Sequence, residues 1–573
     1  MRSHHTVSLG RFDEPVKKTM EMAREMKVAN RVWERDARLW TGKDEDLWLG
    51  WLDIITEQKK EVPHLLEAAE DIKSAGFTDV LLLGMGGSSL CPEVMRLTFG
   101  RVDGYPELHV LDSTVPAQVK SFEERVDLKN TLCIVASKSG GTTEPNAFRD
   151  YFYSRIQELI GPDEVGKHFV AITDPSSMVD AVARERGFRY IFYGVPTIGG
   201  RYSALSNFGM VPAAIMGIDI AVLLDRAELM VQNCAACAEP AKNPGLVLGV
   251  TLAALAKSGV DKVTFVTSPG IGDLGAWLEQ LLAESTGKSD KGLIPVDLEP
   301  IGTPDVYGLD RVFVYVRLMS EPDTDQDRSM DTLEMGGHPI VRIAVPEKIE
   351  IGCEFFRWEF ATAAAGAILN INPFNQPNVQ ESKDYTKSLT DEYGRIGSLP
   401  TESPVLEAAG IKVYTDQANA RALATWISGG TLESCLRGHL NRLELNDYVA
   451  INAYLEMNPG NHELLQQIRQ VVRNNKRVAT TLGYGPRFLH STGQLHKGGP
   501  NIGLFIQITS DDTEDLAIPG REFTFSVLKE AQSTGDHLAL STRKRRILRI
   551  HLSSDVATGL TKLHEAFEAA MAN

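Results

Sequence analysis

Residues 131–145, TLCIVASKSGGTTEP, run from an apolar stretch into two glycines surrounded by four hydroxyl side chains and a lysine. A short apolar run of this kind suits a strand buried on both faces of a parallel sheet. The glycine, serine and threonine cluster behind it marks the turn into the next helix. The pattern recurs on both sides. DVLLLGMGGSSL (79–90), ELHVLDS (107–113), KHFVAITDPSS (167–177) and RYIFYGVP (189–196) each set a few apolar residues before a Gly, Ser or Pro cluster, with helical sequence between them. Strands in that rhythm are joined by right-handed crossover helices into a doubly wound sheet.

A second set follows the Ala-rich helical stretch at 244–259. KVTFVTSPG (262–270), GLIPVDLEP (292–300), RVFVYVRLM (311–319) and PIVRIAVPE (339–347) read as strands, and FFRWEFATAAAGAILN (355–370) as a helix. Ahead of both lies sequence rich in Glu, Lys, Met and Trp at helical spacing, clearest in LWLGWLDIITEQKKE (47–61). After LPTESP (399–404) come long helical stretches and strands at 504–509 and 546–552. The expected organisation is a helical segment over 1–57, doubly wound units over 58–240 and 241–395, and an α/β segment over 396–573.

At 573 residues with 43% apolar side chains, the chain fills several cores rather than one. Its formal charge of −17 argues against a broad nucleic-acid or anionic-membrane surface, since clustered Lys and Arg hold those partners. Any anion must be held locally. The basic run STRKRRILR (541–549) reads as a solvated edge. Six scattered cysteines and no leader-like N-terminus point to the reduced cytoplasm. The close pair Cys234 and Cys237, in helix-like sequence without further ligands, reads as buried thiols rather than a zinc or redox site. No apolar run is long enough to require a membrane span.

In a doubly wound sheet the ligand sits beyond the carboxyl ends of the strands, where helix N-termini present unpaired N–H groups. Two loops there are rich in glycine and hydroxyls: GMGGSSL (84–90) and SKSGGTTEP (137–145). Glycine permits close backbone approach, and Ser88, Ser137, Ser139 and Thr142 can donate to phosphate oxygens. Neither loop has the spaced glycines of a dinucleotide site or the Gly-Lys-Ser/Thr ending of a nucleoside triphosphate loop. Either alone is an ordinary capped turn; the two together read as a phosphate cradle.

These two loops, with PTIGGRYSALSNFGM (196–210), AESTGK (283–288) and INPFNQPNVQESK (371–383), resemble the successive signatures of the glucose-6-phosphate isomerase family. The resemblance spans about residues 20–390, more weakly the tail. It implies an α/β fold of two doubly wound, flavodoxin-like sugar-isomerase domains with parallel sheets, plus the C-terminal segment. The flanks are most similar to the isomerase part of transaldolase/isomerase fusions, which suggests a functional association with transaldolase.

The activity implied is interconversion of glucose 6-phosphate and fructose 6-phosphate. A carbon-bound proton is removed next to a carbonyl and returned one carbon away through an enediol, with no metal or other cofactor. The resemblance places the base at Glu284, which from AESTG alone is a solvent-exposed helix end. It places the enediolate-facing guanidinium at Arg201 and a ring-opening lysine at Lys383. Gly87, Ser88, Ser137, Lys138, Ser139, Thr142 and Gln376 would serve the phosphate, and Gly200 the sugar.

The family's ring-opening histidine is absent from its usual interval, where only His338 occurs, in an unlike context. FLHSTGQLHKGGP (488–500) resembles the segment around that histidine in some bacterial members, which points to His490, with His496 in reserve. Relatives take this histidine from a neighbouring subunit, so a homodimer is implied; the altered chain order leaves open whether the partner completes the site. A dual isomerase also accepting mannose 6-phosphate and a non-catalytic phosphosugar sensor are the competing readings. The sensor would not need Glu284, Arg201 and Lys383.

Overall fold

The computed structural model describes residues 5–572. Its first strand, β1 (His5–Ser8), has its partner far along the chain. Five strands then form a parallel sheet: β2 (Asp79–Gly84), β3 (Glu107–Leu111), β4 (Thr131–Ala136), β5 (Phe169–Thr173) and β6 (Tyr190–Tyr193), in the order β3-β2-β4-β5-β6. All six residues of β4 are buried, as its unbroken apolar run requires.

The second sheet contains β7 (Lys262–Thr267), β8 (Ile294–Val296), β9 (Arg311–Leu318) and β10 (Ile340–Val345), in the order β8-β7-β9-β10. These four are parallel, and β1 pairs antiparallel on the free edge of β10, in the position that β6 occupies in the first sheet. The segment expected to be purely helical therefore also supplies a sheet edge. Its helices Asp13–Glu25 and Val28–Trp33 lie against the second unit.

The C-terminal segment proves to be a third sheet with the same winding. It holds β11 (Leu406–Ala408), β12 (Ile411–Tyr414), β13 (Tyr448–Tyr454), β14 (Ala479–Tyr484), β15 (Gly503–Ser510) and β16 (Arg546–Leu552). The parallel part runs β14-β13-β15-β16, and the antiparallel pair β12 and β11 closes its edge. In all three sheets the parallel strands follow the spatial order second, first, third, fourth.

The cores bind these units together. One apolar cluster runs from Leu9 to Phe374 and joins the first and second sheets. At its centre is the helix Ile351–Leu369, every residue of which is buried, with Trp51 packed on Phe356 and Tyr202. Truncating Phe356 to alanine there would cost about 3–5 kcal/mol. Ile518, Phe525 and Leu528 from the third unit fill the other face of the first sheet. Tyr448, Leu495 and Phe505 pack on Ala283, Ile294 and Val296 of the second. Cys234 is buried but Cys237 is exposed, so only one of that pair fits the buried-thiol reading. Among the described residues, no helix is long and apolar enough to cross a membrane.

Candidate active site

The first sheet's winding reverses between β2 and β4, which is where a doubly wound sheet opens a crevice for ligand. Both hydroxyl-rich loops leave from that point. After β2 the chain makes a tight turn at Gly86–Ser88, with Gly86 at φ +54°. A Cβ on Gly87 would lie 1.9 Å from the carbonyl oxygen of Gly200, so only glycine lets this loop touch the 199–203 turn. Gly200 itself borders open space, since a Cβ there meets nothing within 4 Å.

After β4, Thr142 occupies the N-cap of the helix Thr143–Ile160 without its hydroxyl capping the helix. That hydroxyl and the helix's first N–H groups are available to an anion. Ser139 is exposed beside it, its Oγ accepting from the Gly141 N–H at 3.3 Å. Ser88 and Ser137 are buried, and the Ser137 Oγ has no hydrogen-bond partner. Lys138 departs from expectation: its Nζ donates to Asp174 at 2.6 Å and to the Val195 carbonyl at 3.0 Å, which ties its charge to the β5 side of the loop.

Glu284 lies near the end of the helix Leu274–Thr286 and is 8% exposed, not the solvated helix end its local sequence suggests. Gln280, one turn earlier on the same face, donates through Nε2 to Glu284 Oε2 at 3.1 Å and to the His490 carbonyl at 2.9 Å. A Cβ on Gly86 would also come within 2.9 Å of that Nε2, so the carboxylate stands immediately behind the first loop.

Arg201 is 2% exposed and fixed on every side. It donates through Nε to Ser285 Oγ at 2.7 Å, through Nη1 to Gln376 Oε1 at 3.1 Å, and through Nη2 to the carbonyls of Pro373 (2.7 Å) and Asn375 (3.0 Å). Its Nη1 stands 3.6 Å from Glu284 Oε2. Gln376, expected near the phosphate, is thus a hydrogen-bond partner of this arginine.

His490 comes from the third unit, in the turn Arg487–His490 after β14. Its Nε2 lies 2.9 Å from Glu144 Oε1, leaving Nδ1 for a ligand. Glu144 is the acidic residue of SKSGGTTEP, which sequence reasoning passed over. It also accepts from Gln532 Nε2 at 2.7 Å, and Gln532 Oε1 accepts from Thr114 at 2.6 Å. Burial works against the Glu144 charge, but His490 and Lys383 outweigh it and hold the carboxyl below the usual range. Lys383 is exposed on the helix Val379–Ile396. With Ser139, Thr142, Glu144 and His490 it lines a cavity of about 490 Å³.

The other histidines lie elsewhere. His338 is 5% exposed, packed edge-on against Tyr307 and Phe313, with its charged form disfavoured by burial. His496 is 2% exposed between Phe488 and Phe505, and burial holds it far below the ordinary histidine range. Arg487, three residues before His490, donates to Asp112 at 2.7 Å. Asp112 in turn accepts from Ser89 Oγ at 3.1 Å, so the histidine's turn is tied to the first loop. Nothing in the sequence signals these long-range partners. Gln280 alone was findable, from its one-turn spacing to Glu284.

The profile of the phosphoglucose isomerase family matches residues 53–294, a stretch holding both loops, Arg201 and Glu284 but not Lys383 or His490. Glucose-6-phosphate isomerase of Rubrobacter xylanophilus is 28% identical over 380 residues, 58% of this chain and 85% of that protein. The enzyme of Staphylococcus epidermidis is 29% identical over 407 residues, 62% of this chain and 89% of its own. Among solved structures, a hypothetical protein of Thermus thermophilus superposes with a TM-score of 0.58 at 24% identity. It covers 67% of this chain and 99% of that one. A glucose-6-phosphate isomerase of Chlamydia trachomatis gives 0.53 at 20% identity over 68% of this chain and 86% of its own. These two share the fold. Over residues 53–294, which bring both loops, Arg201 and Glu284 together in one cleft, the chain is similar to the phosphoglucose isomerase family.

Proposed function

We propose that this protein interconverts glucose 6-phosphate and fructose 6-phosphate. The observation that carries the reading is the buried Glu284 carboxylate, 3.6 Å from the fixed Arg201 guanidinium and bridged by Gln280 to the turn that carries His490. The phosphate sits at the N-terminus of the helix Thr143–Ile160 against Ser139 and Thr142, with the Gly86–Ser88 turn beside it. Ser137, whose buried Oγ lacks a partner, lies at the base of this cradle. Lys138, held by Asp174, supports the loop rather than the anion.

His490 and Lys383 open the ring: a proton reaches the ring oxygen as its bond to C1 breaks, and the C1 hydroxyl gives up its own. Glu144 holds the imidazole in place. Glu284 then takes the proton from C2 and returns it to C1, the O2 hydroxyl proton passes to O1 within the enediol so that the carbonyl moves from C1 to C2, and Arg201 faces the enediolate oxygen. A fixed guanidinium in a dry site stabilises that charge far more than water-exposed Arg would, because it needs no reorganisation. Anchoring the phosphate separately orients the reacting carbons.

All these groups come from one chain, so a homodimer, as the family resemblance implies, would carry two complete sites; sedimentation measures its existence. The six free cysteines support a reducing, cytoplasmic setting. The likeness of the flanks to transaldolase fusions supports a functional association with transaldolase, which co-purification from the native source tests.

Glu284→Gln is the decisive variant. It keeps the shape of the site and removes the base, so kcat in a coupled assay falls about 10³-fold or more with little change in KM. Exchange of solvent deuterium into C2 and C1 falls with it. A variant that binds fructose 6-phosphate and still exchanges at the wild-type rate would overturn the assignment.

A further inference from the structure

Behind the catalytic residues, on the far side of the 370–378 turn, lies a second cavity of about 660 Å³. Five basic side chains line it, Lys43, Lys288, Lys497, Arg543 and Arg545, against the single carboxylate of Asp290. On a chain of formal charge −17, five basic side chains to one acidic one is a local excess of opposite sign. Two of the five are neutralised by carboxylates: Lys497 by Asp536 at 2.7 Å and Arg543 by Glu381 at 2.6 Å. The others are not. Arg545, 5% exposed, donates only to the carbonyls of His496, Lys497 and Gly499. Buried Lys288 donates to the Ser285 carbonyl, and among the described residues Lys43 has no ion-pair partner. Five asparagines complete the lining with paired donors and acceptors suited to hydroxyl groups. The volume falls in the range of small-molecule sites, roughly 300–1,000 Å³.

The walls are the backs of the segments that carry the chemistry. Lys288 and Asp290 follow the Glu284 helix, the 370–378 turn supplies the carbonyls that hold Arg201, and Lys497 belongs to the helix Gly493–Gly498 just beyond His490. Gln494 ties the three together. Its Oε1 accepts from the Asn378 N–H at 2.9 Å, and its Nε2 donates to Asn378 Oδ1 and the Gly287 carbonyl, each at 2.8 Å.

We infer that this rear cavity is a regulatory site for a small phosphorylated, hydroxyl-bearing metabolite, distinct from the substrate site. Occupancy draws the three segments toward one anion and alters the placement of Arg201 and His490. Burial, reinforced by the Arg201 charge, holds Lys288 well below the ordinary lysine range, a condition that a neighbouring anion relieves.

Pyrophosphate is the probe. Isomerase kinetics at fixed ionic strength should show two components, a rise in KM from competition at the cradle and a separate change in kcat at saturating sugar. Lys43→Glu should weaken the kcat component at least fivefold, leaving the KM component and the turnover without pyrophosphate unchanged. Asp290→Asn should strengthen it at least twofold. Binding is read independently by calorimetry on the Ser139→Ala/Thr142→Ala protein: one pyrophosphate per chain should remain, and Lys43→Glu in that background should abolish it. Purely competitive inhibition, or a calorimetric site indifferent to both Lys43→Glu and Asp290→Asn, would overturn the inference. Since calorimetry needs no turnover, failure of the regulatory site and failure of the isomerase assignment give different results.

Discussion

The first and third sheets wind their parallel strands in the same order, yet contribute opposite things to the site. At its reversal point, between β2 and β4, the first sheet presents glycines, free hydroxyls and a helix N-terminus. The equivalent point of the third sheet, between the ends of β13 and β15, opens on a cavity of about 340 Å³ that includes Glu124, Glu456, Asp512 and Glu514 against one lysine, Lys120. A phosphate would be repelled there. What the third sheet gives instead is His490, from a turn after β14. In the proposed mechanism one winding thus serves once to bind an anion and once to deliver a proton, and loop chemistry decides which.

This division predicts where each substitution registers. His490→Ala removes the proposed proton donor from the third sheet and should lower kcat on glucose 6-phosphate about 100-fold with little change in KM. Deuterium exchange into erythrose 4-phosphate, an aldose phosphate that cannot close a ring through its phosphorylated oxygen, should persist. His338→Ala, in its aromatic pocket, should cost stability and leave kcat alone. If the two histidines exchange these phenotypes, the third sheet loses its catalytic role.

Ser139→Ala with Thr142→Ala strips two donors from the first sheet's loop and should register in KM. Each hydrogen bond to a charged group is worth about 1.5 kcal/mol, so the pair should raise KM on the order of 100-fold, with kcat reduced less. An equal fall in kcat with KM unchanged would mean that the loop acts on the transition state rather than on the anchor.

The unequal legibility of the two regions follows from the same comparison. A phosphate cradle needs glycines and hydroxyls within one short loop, so TLCIVASKSGGTTEP announces its strand and carries the whole of the proposed cradle's pattern. The pair that positions His490 is separated by 346 residues, and no local pattern links Glu144 to it. The partners of Lys138 are hidden for a related reason: composition sets an ammonium in a hydroxyl-rich loop, and only the fold brings Asp174 and the Val195 carbonyl to it. The third sheet was half visible. β15 and β16 carry the apolar residues of LFIQI and RILRI, whereas β11 and β12 are three and four residues long and β13 is interrupted by Asn452. The β1 strand, outside any apolar run, is specified by the free edge of β10 rather than by its own residues.

The seam between the second and third sheets gives a smaller, pH-dependent effect. Asp297 is 9% exposed, and burial, only partly offset by Arg469, pushes its carboxyl from 3.8 up to about 7. A carboxyl raised in the folded state contributes most below its unfolded value, and its contribution is lost as pH rises toward 7. Asp297→Asn should therefore raise the melting temperature by a few degrees at pH 8, corresponding to about 1–3 kcal/mol, and give no gain at pH 3.5. Equal gains at both pH values would show that packing, not ionisation, sets the cost.

The smallest effect is expected where the two sheets differ most. Glu514 stands in the third sheet's acidic crevice, exposed and paired across the surface with Lys120. An exposed pair of this kind contributes about 0–1 kcal/mol, so Glu514→Gln should shift the melting temperature by no more than a degree or two. Its diagnostic value is kinetic. The crevice occupies the place where a sheet of this winding would hold its ligand, and if it took part in sugar phosphate binding, removing one negative charge would lower KM for the anionic substrate. With the anion anchored only on the first sheet, KM and kcat should stay within twofold of wild type at low ionic strength, where surface electrostatics are least screened. A KM that falls several-fold there and recovers in salt would give the third sheet a part in capturing substrate as well as in opening it.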